Sequence, residues 1–133
     1  MRLVVLDTDV FSFFFKHDTR AQLYADDVAG AHPCISFQTL AELQVWAITR
    51  RWGEQRRRRL AEVLEHYLLF PSDEQMVRHR AVLTAHRRSL GREIGCGDAW
   101  IAATALRHDA ALLTHNAADF ADVPGLNVIT HGA

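Results

Sequence analysis

The sequence predicts an α/β protein on a mainly parallel sheet, covered on both faces by helices. Three observations predict it. Short apolar runs of strand length alternate with longer segments of helical spacing. The clearest runs are continuous rather than alternating, as in strands buried on both faces. And 133 residues, 49% of them hydrophobic, suffice for one domain that buries roughly two-thirds of its unfolded surface. No repeat, linker or proline-rich stretch divides the chain, so residues 1–133 read as a single domain.

The elements follow in order. Residues 3–6 (LVVL) form a first buried strand that stops at Asp7, and residues 33–37 (PCISF) a second. From 39 to 51 apolar residues recur at Leu40, Leu43, Ala47 and Ile48, a helical spacing. A second helix is expected over 54–69, with Leu60, Val63, Leu64 and Tyr67 on one face and a short strand at Leu68–Phe70 as the competing possibility. Ser72 opens a third helix, Gln75 completing an S-x-x-Q capping box, and Gly91 ends it. The last long helix covers 98–108. Strands follow at 111–114 and, after the Pro124-Gly125 turn, at 126–130.

Composition excludes several classes. Disordered, collagenous and low-complexity chains do not have this content. Asp7 and Asp9 interrupt the apolar start before a signal sequence could form, and no window approaches the ~20 apolar residues of a membrane span, so a soluble cytoplasmic protein is expected. Cys34 and Cys96 stand far apart without ligand spacing, which argues against structural zinc. The net charge of −1 conceals a division: residues 50–92 hold eleven Arg against five acids, and the remainder four basic residues against eleven acidic ones.

In folds of this class ligands bind beyond the carboxyl ends of the strands. Asp7 follows the first strand, Glu42 opens the helix after the second, Asp98 begins the helix before the next, and Asp119 lies in the segment after that strand. Four carboxylates gathered there repel unless a hard cation neutralises them, and Mg²⁺ takes such ligands while keeping waters for phosphoryl chemistry. Each acid also has a plainer reading. Glu42 stands three residues after Thr39 in a T-x-x-E capping box, Asp98 is an N-cap, and Asp119 makes an Asx-turn. Asp7, ending a buried strand, needs a partner in either case.

At these residues the sequence resembles the PIN-domain family, and within it the VapC-type toxin ribonucleases of bacterial toxin–antitoxin pairs. The motifs are VLDTDV at 5–10, SFQTLAEL at 36–43, GDAWIAATA at 97–105 and LLTHNAADF at 112–120. The resemblance implies a three-layer α/β/α sandwich and a Mg²⁺- or Mn²⁺-dependent endoribonuclease whose metal is held by Asp7, Glu42, Asp98 and Asp119. Thr8, Thr114 and Asn116 match the polar positions that orient those acids. Two positions depart from the pattern: Asp9 stands where Asn is frequent and His115 where Arg is frequent. Asp9 is either a fifth acid at the metal or a cap for a helix beginning at Val10. His115 is a candidate substrate contact. Activated water would attack an RNA phosphodiester in line, leaving a 5′-phosphate and a 3′-hydroxyl. The implied partners are the RNA (tRNA or ribosomal RNA), a VapB-type antitoxin whose C-terminal segment blocks the site, and a second copy in a homodimer.

Arg50, Arg51, Arg56, Arg87 and Arg88 are the candidate RNA contacts in the basic stretch, since Arg pairs phosphate bidentately and stacks on bases. A solvated face with Glu54, Glu62 and Glu65 as partners is the alternative. Phe11, Phe13, Phe14 and Phe15, with Leu23, Tyr24, Trp46 and Trp52, look too apolar for one short helix to bury and suggest an interface. Two enzyme-free readings and one enzymatic rival compete with the nuclease. A HAD-type phosphatase would use the Asp7/Asp9 pair, and a phospho-acceptor receiver domain would use Asp7, but both chemistries need a later Lys and none follows Lys16. A PIN-like module that only binds RNA or protein would not need all four acids.

Overall fold

The computed structural model describes residues 2–132. Strands β1 (Arg2–Leu6), β2 (Ala31–Ser36), β3 (Leu68–Phe70), β4 (Ala111–Leu113) and β5 (Val128–Ile129) form one sheet in the order β3-β2-β1-β4-β5, with every neighbouring pair parallel. The helices are α1 (Thr8–Phe15), α2 (Ala25–Ala29), α3 (Phe37–Thr49), α4 (Glu54–Leu64), α5 (Glu74–Ser89) and α6 (Cys96–Arg107). Short 3₁₀ turns occupy Thr19–Tyr24 and Ala117–Phe120.

Successive strand residues point to opposite faces, and both faces are apolar. Val4, Leu6, Ile35 and Leu113 meet Phe11, Phe15, Leu43, Trp52 and Leu60 on the side of α1, α3 and α4. Val5, Cys34 and Leu112 meet Met76 and Leu83 of α5 and the face of α6 that carries Ala99, Ala102, Ala103 and Ala105. Small residues on that face let α6 lie close to the sheet. The result is the expected three-layer α/β/α sandwich. No helix among the described residues is long and apolar enough to cross a membrane.

Several element boundaries differ from the sequence reading, and the caps explain most of them. Helix α3 begins at Phe37 because the Ser36 hydroxyl accepts from the Gln38 N–H, so Thr39 lies inside the helix and no T-x-x-E box exists. Helix α5 is capped by Asp73, which accepts from Met76 N–H, rather than by Ser72 with Gln75. Helix α1 starts at Thr8 and is capped by Asp7, so Asp9 caps nothing. Helix α6 starts at Cys96, two residues before Asp98. Helix α4 stops at Leu64, leaving Leu68–Phe70 to pair with β2 as an edge strand. The 3₁₀ turn Thr19–Tyr24 and the five-residue α2 lack a long apolar period, so sequence spacing does not mark them.

The aromatic surplus of α1 is absorbed by the core. Phe11 stacks on Phe15 and meets Tyr67 edge-on, Phe15 stacks on Trp52, and Phe13 meets His115, so Phe14 is the only one of the four phenylalanines left half-buried. A helix wedged between the sheet, α3 and the turn at Thr19–Tyr24 buries apolar residues on several sides, which a one-faced helix could not.

Candidate active site

From β1 the chain crosses to β2 on one side, and β4 lies on the other, so the strand order reverses beside β1. The crevice at the carboxyl end of β1 and β4 is where such sheets place their ligands. Asp7 leaves β1 there, its backbone N–H bonded 3.0 Å to the Leu113 carbonyl at the end of β4. Asp7, Thr8, Asp9, Glu42, Trp46, Asp98 and Ile101 wall a cleft of about 160 Å³. Not one of these wall residues is a cation. Asp119, on the exposed turn after β4, is not one of the cleft's walls but lies near enough to act on Asp98, being the first among the charges that raise its pKa.

The electrostatics follow from that geometry. Asp7 is 6% exposed. Burial lifts its carboxyl to about 6, against the pull of the Thr114 hydroxyl and the Val10 N–H, and Asp9 and Asp98 push further the same way. Asp98 is also raised to about 6, by burial first and then by Asp119, Glu42 and Asp9, with Arg87 opposing. Burial of Asp7, partial burial of Asp98 and the acids that face each of them account for both shifts.

Polar neighbours hold the acids in place. Thr8 donates its hydroxyl to Glu42 Oε2 and lies 3.1 Å from the Thr39 hydroxyl. Asn116 donates from Nδ2 to Asp9 Oδ2 at 3.2 Å, and its own N–H is accepted by Thr114 Oγ1. Asp9 thus lines the cleft with the other acids, as one of its two sequence readings has it, while buried Thr39, which sequence marks only as a cap, supports Thr8 from behind the wall. Gly97 leaves no signal in spacing, yet a Cβ there would stand 3.1 Å from Glu42 Oε1 and 3.0 Å from Gln38 Nε2, so any side chain at this position would push the ends of those two residues aside.

The candidate RNA contacts divide. Arg50 stands at a second cleft beside the first, together with His115, whose Nδ1 lies 2.8 Å from the Tyr24 hydroxyl. Arg51 takes a left-handed turn with φ 51° and lines neither cleft. Arg56 rests on Trp52. Arg88 pairs outward with Glu93. Arg87 must be corrected. It is buried, and its guanidinium donates to the carbonyls of Arg92, Asp119, Ala121 and Glu93, so it braces the Asp119 turn and has no face left for substrate.

The four acids belong to hard-oxygen chemistry, and the donor set suits a divalent cation. The cage is not pre-assembled, however. Among the described residues no three acidic, His or Cys side chains converge closely enough to hold one ion as they stand, with Glu42 turned to Thr8 and Asp7 Oδ1 used by Val10. A cation that keeps most of its waters needs only one or two carboxylates directly.

A parallel sheet covered on both faces, with acids gathered where its strand order reverses, places the chain in the class of α/β proteins that bind ligands at a switch point. Within it, residues 4–126 match the PIN-domain model, and the chain belongs to that family. It is 30% identical over 128 residues to Ribonuclease VapC1 of Haemophilus influenzae strain R2866, covering 93% of this chain and 94% of that one. Its fold is similar to VapBC-1 from nontypeable H. influenzae, with TM-score 0.85, 29% identity, and coverage of 96% and 97%. It is also similar to VapBC-5 of Mycobacterium tuberculosis, a member of the VapBC family of toxin–antitoxin systems, with TM-score 0.73, 27% identity, and coverage of 98% and 99%.

Proposed function

We propose that this protein is a metal-dependent endoribonuclease, the toxin of a toxin–antitoxin pair, restrained by a VapB-type antitoxin. The observation that carries the reading is the cleft at β1, where Asp7, Asp9, Glu42 and Asp98 face one another with no cation on the walls. Similarity to Ribonuclease VapC1 supplies the substrate class, and similarity to VapBC-1 and VapBC-5 supplies the antitoxin.

Asp7, Glu42, Asp98 and Asp119 would hold Mg²⁺, or Mn²⁺ in its place. When bound, such an ion lowers the pKa of water and neutralises charge on the phosphate. The chain does the rest. Thr8 fixes Glu42, Thr114 steadies the Asp7 carboxylate, and Asn116 keeps Asp9 turned toward its loop. The cleft walls include no Ser, Cys or Lys, and their one hydroxyl, Thr8, is committed to Glu42, so with the carboxylates given to the cation the nucleophile in this reading is water. In-line attack on phosphorus expels the 3′-oxygen and leaves a 5′-phosphate.

The test is incubation of purified protein with total RNA, with Mg²⁺ or with EDTA, beside Asp98→Asn. Cutting by the intact protein in Mg²⁺, abolished by EDTA and reduced at least ~10³-fold in the variant, is the expected result. Identical RNA patterns for both proteins at every Mg²⁺ concentration would refute it. Release of phosphate from a small phosphomonoester would point to the phosphatase instead.

Gly97→Ala offers a finer check. The added methyl displaces the ends of Gln38 and Glu42. Ala favours a helix over Gly by ~1 kcal/mol, which offsets the crowding, so the melting temperature should move little. Cleavage, which needs Glu42 in place, should fall at least ~10-fold. Comparing melting curves with initial rates separates the two effects.

A further inference from the structure

The arginines of the basic stretch fall into two populations that composition hides. On the α5 side most are engaged, the exception being Arg80, which enters no ion pair among the described residues, lies 4.6 Å from the Trp100 ring centre and lines neither the carboxylate cleft nor the one beside it. Arg78 pairs with Glu74, Arg88 with Glu93 and Arg92 with Asp122, while Arg87 is spent on backbone carbonyls. Arg107, at the end of α6, pairs with Asp73. On the other side Arg58 pairs with Glu54 and Arg57 donates to the carbonyls of Trp52 and Ala47, while Lys16, Arg50, Arg56 and Arg59 enter no ion pair among the described residues.

Each of those four cations rests on an aromatic ring instead. Arg50 lies 4.4 Å and Lys16 5.5 Å from the Trp46 ring centre, Arg56 4.5 Å from Trp52, and Arg59 4.4 Å from Phe15. A cation seated on a π face is held in position while its charge stays available to an anion. Lys16 and Arg50 also flank the second cleft, about 320 Å³, which shares Asp9 and Trp46 with the carboxylate cleft. That volume is within the ~300–1,000 Å³ range of ligand clefts. Arg20 lines it too, but Asp18 holds its guanidinium at 2.8 and 3.0 Å.

We infer that the cleft between Lys16, Trp46 and Arg50 is a subsite for the nucleotide beside the scissile phosphate of single-stranded RNA. Arg56 and Arg59 take the phosphates beyond it, so the strand leaves the carboxylates over α1, α3 and α4 and not over α5. The inference rests on the ribonuclease reading and adds the path of the substrate. Half-buried Trp46, which lines both clefts, offers a ring to one base, and the unpaired cations offer charge to the phosphates, while Phe15 and Trp52, buried beneath Arg59 and Arg56, hold those guanidiniums in place. The acidic cleft repels a polyanion, and cations on one side of it set the direction from which the strand approaches.

The test uses Asp98→Asn protein in Mg²⁺ buffer, so the probe stays intact, and a fluorescein-labelled 12-nucleotide RNA of mixed sequence read by anisotropy. Lys16→Ala and Arg50→Ala should each weaken binding about 5–10-fold and reduce the log–log salt slope by about 0.7. Arg50→Lys should restore the slope but not the full affinity, because the stacking plane is lost. Arg56→Ala with Arg59→Ala should behave like the first pair, and Arg78→Ala with Arg88→Ala should stay within about twofold of the parent. Equal losses from both sides, or no loss from Lys16→Ala and Arg50→Ala, would overturn the subsite. Unchanged RNA affinity with weakened binding of a polyglutamate peptide would overturn it in favour of an acidic protein partner. If the expected binding pattern appears while the unsubstituted protein cuts no RNA, the subsite stands and the nuclease reading fails. If RNA is cut but the pattern is absent, the subsite alone fails.

Discussion

Asp7→Asn is expected to give a protein that is more stable than the parent and inactive. The carboxyl is buried and raised from 3.8 to about 6, so its ionised form is disfavoured in the folded state. Between those two values the folded protein binds more protons than the unfolded chain, and stability falls as pH rises. The favourable contribution is complete below about 3.8 and lost as pH passes through 6. Asparagine keeps Oδ1 as the acceptor for Val10 N–H and removes the charge. The variant should therefore exceed the parent by about 2 kcal/mol at neutral pH and match it near pH 4. Urea denaturation at the two pH values, without added metal, reads this directly. Equal stability at both would mean that the acid is comfortable where it sits.

Arg87→Met is expected to have the opposite effect and a larger one. Its guanidinium is buried and gives hydrogen bonds of 2.7, 3.1, 2.9 and 3.4 Å to four backbone carbonyls. It ties α5 to the segment after it and to the turn that carries Asp119. Methionine fills much of the volume but leaves those carbonyls without donors, which costs about 3–5 kcal/mol. Arg87 also opposes the rise of the Asp98 carboxyl, so the variant should lose cleavage even where it remains folded. Lysine should rescue little, since one ammonium cannot reach both sides of the fork. A loss below about 1 kcal/mol in the denaturation midpoint would show that the turn is held by other contacts.

The sheet and the acids were legible because each leaves a local mark. Buried parallel strands are continuous apolar runs, and the acids end or follow them. The caps were less legible. Ser36 and Thr39 are both plausible N-caps in sequence, and the choice is made by β2, which runs to Ser36 and leaves its hydroxyl free for Gln38. That choice matters for function, since it removes the capping explanation for Glu42. Asp98 likewise sits in the third position of α6 rather than at its cap. Arg87 could not be separated from Arg88 by composition. Which of two adjacent guanidiniums turns inward is set by the loop at Arg92 and the turn at Asp119, both distant in sequence. Trp46 and Arg50 did leave a signal, falling four and eight residues after Glu42 and so continuing its stripe along α3.

The central claim is that a divalent cation binds among Asp7, which is buried, Glu42 and Asp98, which are half-buried, and exposed Asp119, beside a cleft with no basic side chain on its walls. It is tested most directly by the melting temperature as a function of Mn²⁺ at pH 7.5, for the parent and for Asp98→Asn. An ion that binds only the folded cluster stabilises by RT ln(1 + [L]/Kd), about 2.7 kcal/mol at 100 times Kd. The melting temperature of the parent should climb with Mn²⁺ and that of Asp98→Asn should stay nearly flat. Parallel curves for the two proteins, or a flat curve for a parent that still cuts RNA, would contradict the claim.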